Sequence, residues 1–435
     1  MKQYEYKREI PVTGNWDIIV AGGGPAGISA AVSAAREGQK VALIERYGIL
    51  GGNMVIGHVA PILGMVGKGT LRDELLSLIG VAGNDMIGET GLAHDFENAK
   101  IAIAGFVGAE KNLDVLLQTP VVDVIMEQNS ITALLISTKE GLQIIRGNYF
   151  IDASGDGDLA FFAGNPVEMG RESDGLVQPV TLEFTLTDVD EGRALSCIGD
   201  VDDVQLNGER FLDFTARCAK EGLLPELMAA VRLHRTTTPG ERQVNTTQKN
   251  GVNALDNTQL FPAEIDLRRQ IRQLVEFLRK YVPGYEKCKI KSSSSTLGVR
   301  ETRRVIGEYI LTAEDMAAGR RFEDVVVHNA EFIVDIHNPA GAGQAEECIQ
   351  YVKPYDIPWR SLVPVKTDNL ILSGRCISGT HRAHASYRIT SICIATGQAA
   401  GTAAAVCCKE KCLPRQAPVK KIQDALKNQG ADLFY

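Results

Sequence analysis

Between Trp16 and Asn53 the chain reads W-D-I-I-V-A-G-G-G-P-A-G-I-S-A-A-V-S-A-A-R-E-G-Q-K-V-A-L-I-E-R-Y-G-I-L-G-G-N, and no other stretch limits its fold so strongly. Asp17–Ala21 is a short apolar run with β-branched residues, which predicts a buried strand. Gly22, Gly24 and Gly27 follow in G-x-G-x-x-G spacing. Ile28–Gly38 consists of small, helix-compatible residues, with Gly38 as its stop. Lys40–Ile44 predicts a second buried strand, closed by Glu45. In this strand–turn–helix–strand–acid frame each residue type has a task. Gly22 permits the tight turn, Gly24 lets the backbone approach a pyrophosphate, and Gly27 lets helix and strand pack closely. The helix N-terminus offers unpaired N–H groups and a partial positive charge to phosphates. Glu45 would accept hydrogen bonds from the ribose hydroxyls and repel a 2′-phosphate. The unit alone predicts an adenosine dinucleotide without a ribose phosphate.

A chain of 435 residues is long for one core, so two lobes are expected. The net charge of -8 leaves no basic excess for a nucleic acid or an anionic membrane surface. The N-terminus, M-K-Q-Y-E-Y-K-R-E-I, has no apolar core of a secretory signal, which predicts a cytoplasmic protein. Ser391–Cys408 is weakly polar but rich in Gly, Ala and Thr, with Gln398 inside it, and predicts a packed core helix rather than a membrane span. The nine cysteines are scattered and form no C-x-x-C, so reduced thiols are expected, with no iron–sulfur relay and no zinc site.

The rest of the chain divides by pattern. Met1–Asn15 is a polar arm, an extra strand or a surface extension. Gly51–Gly69 is dense in glycine, which suits backbone lying against a flat ligand. Leu71–Leu78 and Asn98–Val107 read as helices. Val115–Ile125, Ile131–Ser137 and Leu142–Tyr149 read as a small antiparallel insertion, near 113–150, running into I-D-A-S-G-D-G-D-L-A at Ile151. Those aspartates lack the spacing and final Glu of a calcium loop. Gln178–Val189 alternates like a strand with one open face; Gly208–Gly222, Leu224–Leu233 and Pro262–Tyr281 read as helices. Thr236–Asn257 is polar and irregular, a mobile loop near a site. Asp368–Gly379 is a strand followed by a glycine turn, His381–Arg388 a polar loop, and Thr390–Lys409 a helix of small residues. Lys411–Tyr435 reads as an amphipathic helical tail. The expected architecture is α/β, a Rossmann-like FAD/NAD(P)-binding domain with a central parallel sheet and a second α+β cap domain. Its boundaries fall at 1–167 and 341–435 for the first domain and 168–340 for the cap.

Six ordered blocks resemble the FAD-dependent oxidoreductase family, which includes flavoproteins related to fumarate reductases, and more distantly the flavin subunit of heterodisulfide reductase. They are A-G-G-G-P-A-G-I-S-A-A at Ala21, E-R-Y-G-I-L-G-G-N at Glu45, I-D-A-S-G-D-G-D-L-A at Ile151, G-V-R-E-T-R-R-V-I-G-E-Y-I-L-T at Gly298, Y-D-I-P-W-R-S-L-V-P at Tyr355 and N-L-I-L-S-G-R-C-I-S-G-T-H-R-A-H-A-S-Y-R at Asn369. The resemblance implies non-covalent FAD. It places the pyrophosphate on Gly22, Gly24, Pro25, Ala26 and Gly27, and the adenosine ribose on Glu45, with Arg46 beside it. It runs Gly51, Gly52 and Asn53 along the pyrophosphate and ribityl chain, sets Val122 near the adenine, and puts Ser154, Gly155 and Asp156 behind the cofactor. Gly374, Arg375, Ile377 and Thr396 complete the set. The first turn of the Thr390 helix, or the loop before it, would face the pyrimidine edge of the ring, which gains negative charge on reduction.

Chemistry on a C–H bond beside a flavin needs a base as well as a hydride path. His381 and His384, between the last strand and that helix, are the leading candidates. Arg360 is a candidate substrate or flavin contact, because a guanidinium offers a planar fork to carboxylates. His58 is the only titratable side chain in the first half of the Gly51–Gly69 stretch, and either serves the ring or only holds its loop. Glu301 with Arg304 reads as a structural ion pair, and Cys376 as a small core residue. No second dinucleotide fingerprint follows. The expected function is hydride transfer between FAD and a small organic molecule. A flavin-bearing electron-transfer subunit and a non-redox flavoprotein are the alternatives. The substrate, the electron partner and a homo-oligomeric state stay open.

Overall fold

The computed structural model describes residue 5 and residues 7–81, 93–197, 203–345, 348 and 351–433, so residues 1–4 and 6 of the N-terminal arm and the last two of the tail lie outside it. Strand β1 (Val12–Ala21) takes in the end of the arm and runs through the protein centre, where Ile18, Ile19, Val20 and Ala21 are buried. Helix α1 (Pro25–Arg36) carries the chain over to β2 (Val41–Ile44), which pairs parallel with β1, Ile18 opposite Val41. Helices α2 (Leu71–Ile79) and α3 (Phe96–Gly108) follow, and the Asp95 carboxylate caps α3 by accepting from the Glu97 and Asn98 N–H groups. Strand β3 (Leu113–Leu116) adds to β2 in parallel.

Val115–Ile125 is therefore not one strand. The chain turns at Gln118, where φ is 53°, and at Pro120, which has no N–H for a ladder. It restarts as β4 (Val121–Glu127), which forms an antiparallel meander with β5 (Ser130–Thr138) and β6 (Gly141–Asp152). Strand β6 is shared. One edge pairs with β1 in parallel from Val12 to Ala21, while the other holds β5 as far as Arg146. Beyond Arg146 that edge is open for another strand. Helix α4 (Asp158–Phe162) leaves the end of β6.

A second region begins with β7 (Val167–Met169). Its main sheet contains β8 (Phe184–Thr187), and the hairpin β9 (Gln205–Leu206) and β10 (Glu209–Arg210) leads into α5 (Phe211–Lys220). Leu224–Leu233 is not a helix. It holds one tight turn at Glu226–Met228 and then β11 (Arg232–Arg235), because alternation of Leu233 inward and His234 to the other face suits a sheet. The expected loop at Thr236–Asn257 likewise contains β12 (Arg242–Asn245) and buries Thr246, Thr247 and Gln248. Helix α6 (Asn257–Tyr281) starts ahead of Pro262, at a cap made by the Asp256 carboxylate accepting from the Thr258 N–H. With β13 (Lys289–Ser293) the antiparallel order is β11-β12-β8-β13. Phe184, Leu186, Leu233 and Val244 join Leu267, Ile271 and Leu274 of α6 in a core that runs from Val180 to Cys288.

Strand β14 (Arg303–Val305) pairs with β7, and from Val305 onward the chain packs into the first core. Helix α7 (Ala313–Ala318), β15 (Val325–Ala330) and β16 (Tyr355–Pro358) lead to β17 (Leu370–Leu372). That strand fills the open edge of β6, Leu372 opposite Asp152. The His381–Arg388 segment is a helix, α8 (His381–Tyr387), because Thr380 caps it by accepting from the Ala383 N–H. Helix α9 (Thr390–Glu410) is apolar and long enough to cross a membrane, yet 89% of its most apolar stretch is buried inside the protein. Its Gly397 and Gly401 lie so close to α1 that a Cβ at either would overlap the carbonyls of Ala26 and Ala30. Helix α10 (Val419–Asn428) closes the chain.

Candidate active site

The cofactor end is built at the C-terminal edge of β1 and β6. Gly22 has φ 106°, and a Cβ there would overlap the Ala153 carbonyl. A Cβ on Gly27 would overlap the Gly22 carbonyl oxygen, so the turn and helix meet without a side chain between them. Gly24 differs: its Cβ would meet nothing within 4 Å. Its backbone borders open space at the N-terminus of α1, where no side chain caps the helix. Orphan N–H groups with an unfilled cradle in front fit a pyrophosphate. Across that cradle Gly51 and Gly52 have φ 111° and 51°, and a Cβ on Gly52 would come 2.9 Å from Gly24 Cα. Glu45 accepts from the Gly23 N–H at 2.6 Å and from the Tyr47 N–H at 2.8 Å. Its two oxygens retain lone pairs for ribose hydroxyls. Burial raises its pKa, and the Tyr47 and Gly23 N–H bonds oppose that. Just before Val122 the chain bonds to the same loop, the Gln118 N–H to Tyr47 O and the Thr119 N–H to Glu45 O, both 2.9 Å. Val122 itself is exposed. The residues present fit an adenine dinucleotide such as FAD.

Behind this cradle lies a packed charge network. Asp156 accepts from Arg375 Nη2 at 2.6 Å and from Thr302 Oγ1 at 2.8 Å, with Arg46 Nη1 3.6 Å away. Burial alone would raise the Asp156 pKa, but Arg375 and Arg46 hold it below the ordinary carboxylate range. Arg375 also donates to Gly155 O at 2.7 Å and Val299 O at 3.0 Å. Ser154 Oγ donates to the buried Asp152, while Thr396 Oγ1 accepts from the Gly374 N–H and donates to Cys393 O. Ile377 is fully buried. Ser154, Thr396 and Ile377 thus hold the walls of the site, and their side chains are engaged by protein rather than offered to a ligand. Asn53 accepts from the Val59 N–H through its carbonyl and so shapes its loop.

One segment links this network to the second region. From Arg300 to Arg304 each side chain reaches a different element. Arg300 donates to Pro179 O at 2.8 Å, Glu301 accepts from His381 Nδ1 at 2.8 Å, and Thr302 reaches Asp156. Arg303 pairs with Asp158 at 3.1 Å, and Arg304 bonds Glu301, Gly379 O and Gly170 O.

The face of the β11-β12-β8 sheet turned away from its core is polar and buried. Register places His234, Gln243 and Thr185 side by side, with Glu183 and Arg232 on the same face. Gln243 Nε2 donates to Glu183 and to His58 O, and the Ala60 N–H also reaches Glu183. The Ser295 N–H donates to Ile56 O at 2.9 Å, so the glycine-rich segment after Gly52 is pinned against this face. Burial pushes the Glu183 pKa up to about 8. Beside it stand Arg300, Arg388, Asp335 and His337. Arg388 donates to Asp335 O at 3.2 Å, and His337 Nε2 lies 3.3 Å from Asp335 Oδ2. Burial and then Arg300 lower the His337 pKa to about 4. Thr185 Oγ1, His234 Nδ1, Gln243 Oε1, His58 Nδ1 and Arg388 Nε are buried without a hydrogen-bond partner among the described residues. Each such atom costs about 1–3 kcal/mol when dry, so each calls for a ligand or water.

The structure buries His58, His381 and His384, and it leaves Arg360 at the surface. Arg360 is half exposed, paired with Asp324 at 2.9 Å and stacked over Tyr309. Its guanidinium therefore has structural partners at the surface, and no substrate or flavin contact follows from its position. His58 has φ 53° and stacks on Phe96 with ring centroids 4.3 Å apart. Burial, aided by Lys100, lowers its pKa to about 4. His384 is buried, and burial with Arg304 and Arg388 keeps it neutral. His381 is bonded at Nδ1 by Glu301 while its buried Nε2 has no partner among the described residues. Glu301 is thus more than half of an ion pair with Arg304. The interior groups that the motifs did not single out are Glu183, His234, Gln243 and Asp335. A Glu inside the alternating run T-L-E-F-T-L was the available signal for Glu183.

A parallel sheet with a glycine turn, an uncapped helix N-terminus and an acid at the end of β2 defines a dinucleotide-binding α/β protein. The chain belongs to the FAD dependent oxidoreductase family, which it matches over residues 17–426, and it is an FAD-dependent flavoenzyme. It is 30% identical over 148 residues to a thiamine thiazole synthase of Methanococcus aeolicus, a match covering 32% of this chain and 54% of that protein. The chain thus aligns with about half the length of that curated relative. Among solved structures it is similar to a geranylgeranyl bacteriochlorophyll reductase-like protein of Thermoplasma acidophilum, with 14% identity, TM-score 0.48 and coverage of 95% of this chain and 83% of that one. It is also similar to p-nitrophenol 4-monooxygenase of Pseudomonas putida, with 10% identity, TM-score 0.49 and coverage of 96% and 85%.

Proposed function

We propose that this flavoenzyme exchanges a hydride between non-covalently bound FAD and a small organic molecule held under the β11-β12-β8 sheet, which acts as the cap of residues 168–340. The observation that carries the reading is the buried polar face of that sheet, packed against the Ile56–Ala60 segment, whose unpartnered atoms ask for a polar guest. When bound, FAD supplies two-electron redox chemistry. The protein's own part is binding, exclusion of water and proton movement. Glu301 accepts the Nδ1–H of His381, which fixes the tautomer and leaves the lone pair on Nε2. That atom is the proton acceptor or donor of the proposal. His384, held neutral among arginines, serves as packing. All nine cysteines are free, which supports a cytoplasmic setting.

The test is anaerobic mixing of the yellow protein with panels of small acids, alcohols, amines and nicotinamide cofactors. The expected result is bleaching by one class. His381→Gln should slow that bleaching by about 10²- to 10⁴-fold while the flavin stays bound. Turnover with the flavin spectrum unchanged throughout would overturn the hydride reading.

A further inference from the structure

We propose that Cys407 and Cys412 are a redox modification site, which hydrogen peroxide converts to a disulfide that staples the C-terminal end of α9. The two residues meet across the cap of that helix. Lys411 takes the left-handed conformation that ends it, with φ 52° and ψ 45°. The N–H groups of Lys411 and Cys412 both donate to Cys407 O, the second at 3.2 Å. Tyr149 of β6 holds the same turn, its hydroxyl lying 3.1 Å from Cys407 O and 2.9 Å from Cys412 O. In a cap with this bonding the side chains of those two positions touch, and the contact is ordinarily apolar. Here both are cysteine, and the Cys407 thiol is hydrogen-bonded to that of Cys412. With the backbone already clamped, closing an S–S bond needs rotation of two side chains rather than movement of a helix.

The two thiols differ in access. Cys407 is fully buried and Cys412 half-buried. Lys411 and Leu413, on either side of Cys412, line an open groove of about 910 Å³ together with Cys408 and Tyr149, so a small oxidant reaches the turn. Cys412 therefore reacts first. Its thiolate attacks one peroxide oxygen, the O–O bond breaks, and the products are a sulfenic acid and water. Cys407, giving up its proton, then attacks the Cys412 sulfur. The S–O bond breaks, and the departing hydroxide takes that proton to become water. Two thiols and one peroxide thus give one disulfide and two waters, and the sulfurs lose the two electrons that the peroxide gains. Burial raises the Cys407 pKa, so that thiol does not react ahead of its partner. The bridge fixes the start of the connection to α10, where Trp359 Nε1 donates to Pro414 O at 3.1 Å.

The test is treatment of the folded, flavin-loaded protein with hydrogen peroxide, followed by thiol counting in denaturant and peptide mapping. Two of the nine thiols should disappear and return with dithiothreitol. Trypsin cuts after Lys409 and Lys411, so the peptides holding Cys407 and Cys412 should stay joined only through sulfur. Cys408→Ser should keep the bridge and Cys412→Ser should abolish it. The bridged protein should unfold about 2 °C higher, because the short loop between the two cysteines is closed in its unfolded chain. All nine thiols persisting, oxygen added to Cys412 without a bridge, or a bridge through Cys408 would overturn the inference, and these readings of the parent protein need no variant. A bridged protein that unfolds earlier than the reduced one would overturn the stapling role.

Discussion

Two glycines of one turn should respond to the same substitution in opposite ways. Gly24 has φ −76° and ψ −176°, a conformation open to alanine, and its Cβ would touch nothing within 4 Å. In flavin-free protein, Gly24→Ala should therefore be neutral or should stabilise by about 0.4–1 kcal/mol, through the lost freedom of the unfolded chain. In the loaded protein the same methyl stands where the pyrophosphate belongs. Overpacking of that kind costs about 1–3 kcal/mol, which weakens FAD binding about 5- to 150-fold. Gly27→Ala has no such open space. Its methyl would overlap the Gly22 carbonyl, and α1 has nowhere to retreat because α9 already touches the carbonyls of Ala26 and Ala30. Loss of about 3 kcal/mol or more is expected before any ligand is added. Thermal unfolding of flavin-free protein, followed by circular dichroism, separates the two, and fluorescence titration with FAD gives the affinities. If Gly24→Ala bound FAD as tightly as the parent, or unfolded as early as Gly27→Ala without flavin, the cradle argument would be wrong.

Three further outcomes are expected. His58 and His337 have pKa values near 4, below the ordinary 6.5, so only the unfolded chain takes up protons between those values. Stability is full above pH about 6.5 and falls as pH drops toward 4, by about 3 kcal/mol per group, and His58→Gln should flatten that fall in denaturant titrations at pH 7 and pH 5. Arg375→Met should cost about 3–5 kcal/mol in urea unfolding because it strands the buried Asp156, and adding Asp156→Asn should return part of the loss. Arg360→Ala should change stability by less than about 1 kcal/mol and leave FAD affinity and turnover unchanged, since its pair with Asp324 is at the surface; a large loss of turnover would restore it as a site residue.

The fingerprint was legible because its causes are local. Gly22, Gly24 and Gly27 are dictated by backbone geometry within six residues, and Glu45 follows one helix later. The double pairing of β6 was not, since nothing in residues 141–152 tells that one edge takes β5 and then β17. The interior of the site was hidden for a different reason. Gln178–Val189 alternates apolar and polar residues, and on an antiparallel sheet a polar face ordinarily means water. Here Glu183 and Thr185 are 2% and 4% exposed, because the face is covered by the other half of the chain. His234 and Gln243 join them from β11 and β12, where the expectation was a helix ending at Leu233 and an irregular loop from Thr236. Arg360 shows the converse: a cation inside a signature block whose partners, Asp324 and Tyr309, are structural.

The Arg300–Arg304 segment bears on how such a protein can be recombined. A graft that replaces residues 180–297 would bring new side chains to the buried polar sheet face, since Glu183, His234 and Gln243 travel with it. Arg300 and Arg388 would stay behind, along with Thr302 and Arg303, whose grip on Asp156 and Asp158 belongs to the cofactor edge. Exchange of that segment would therefore renew the buried sheet face while leaving the contacts to Asp156 and Asp158 with the recipient. A junction cut inside the segment would divide anchors that must come from one parent.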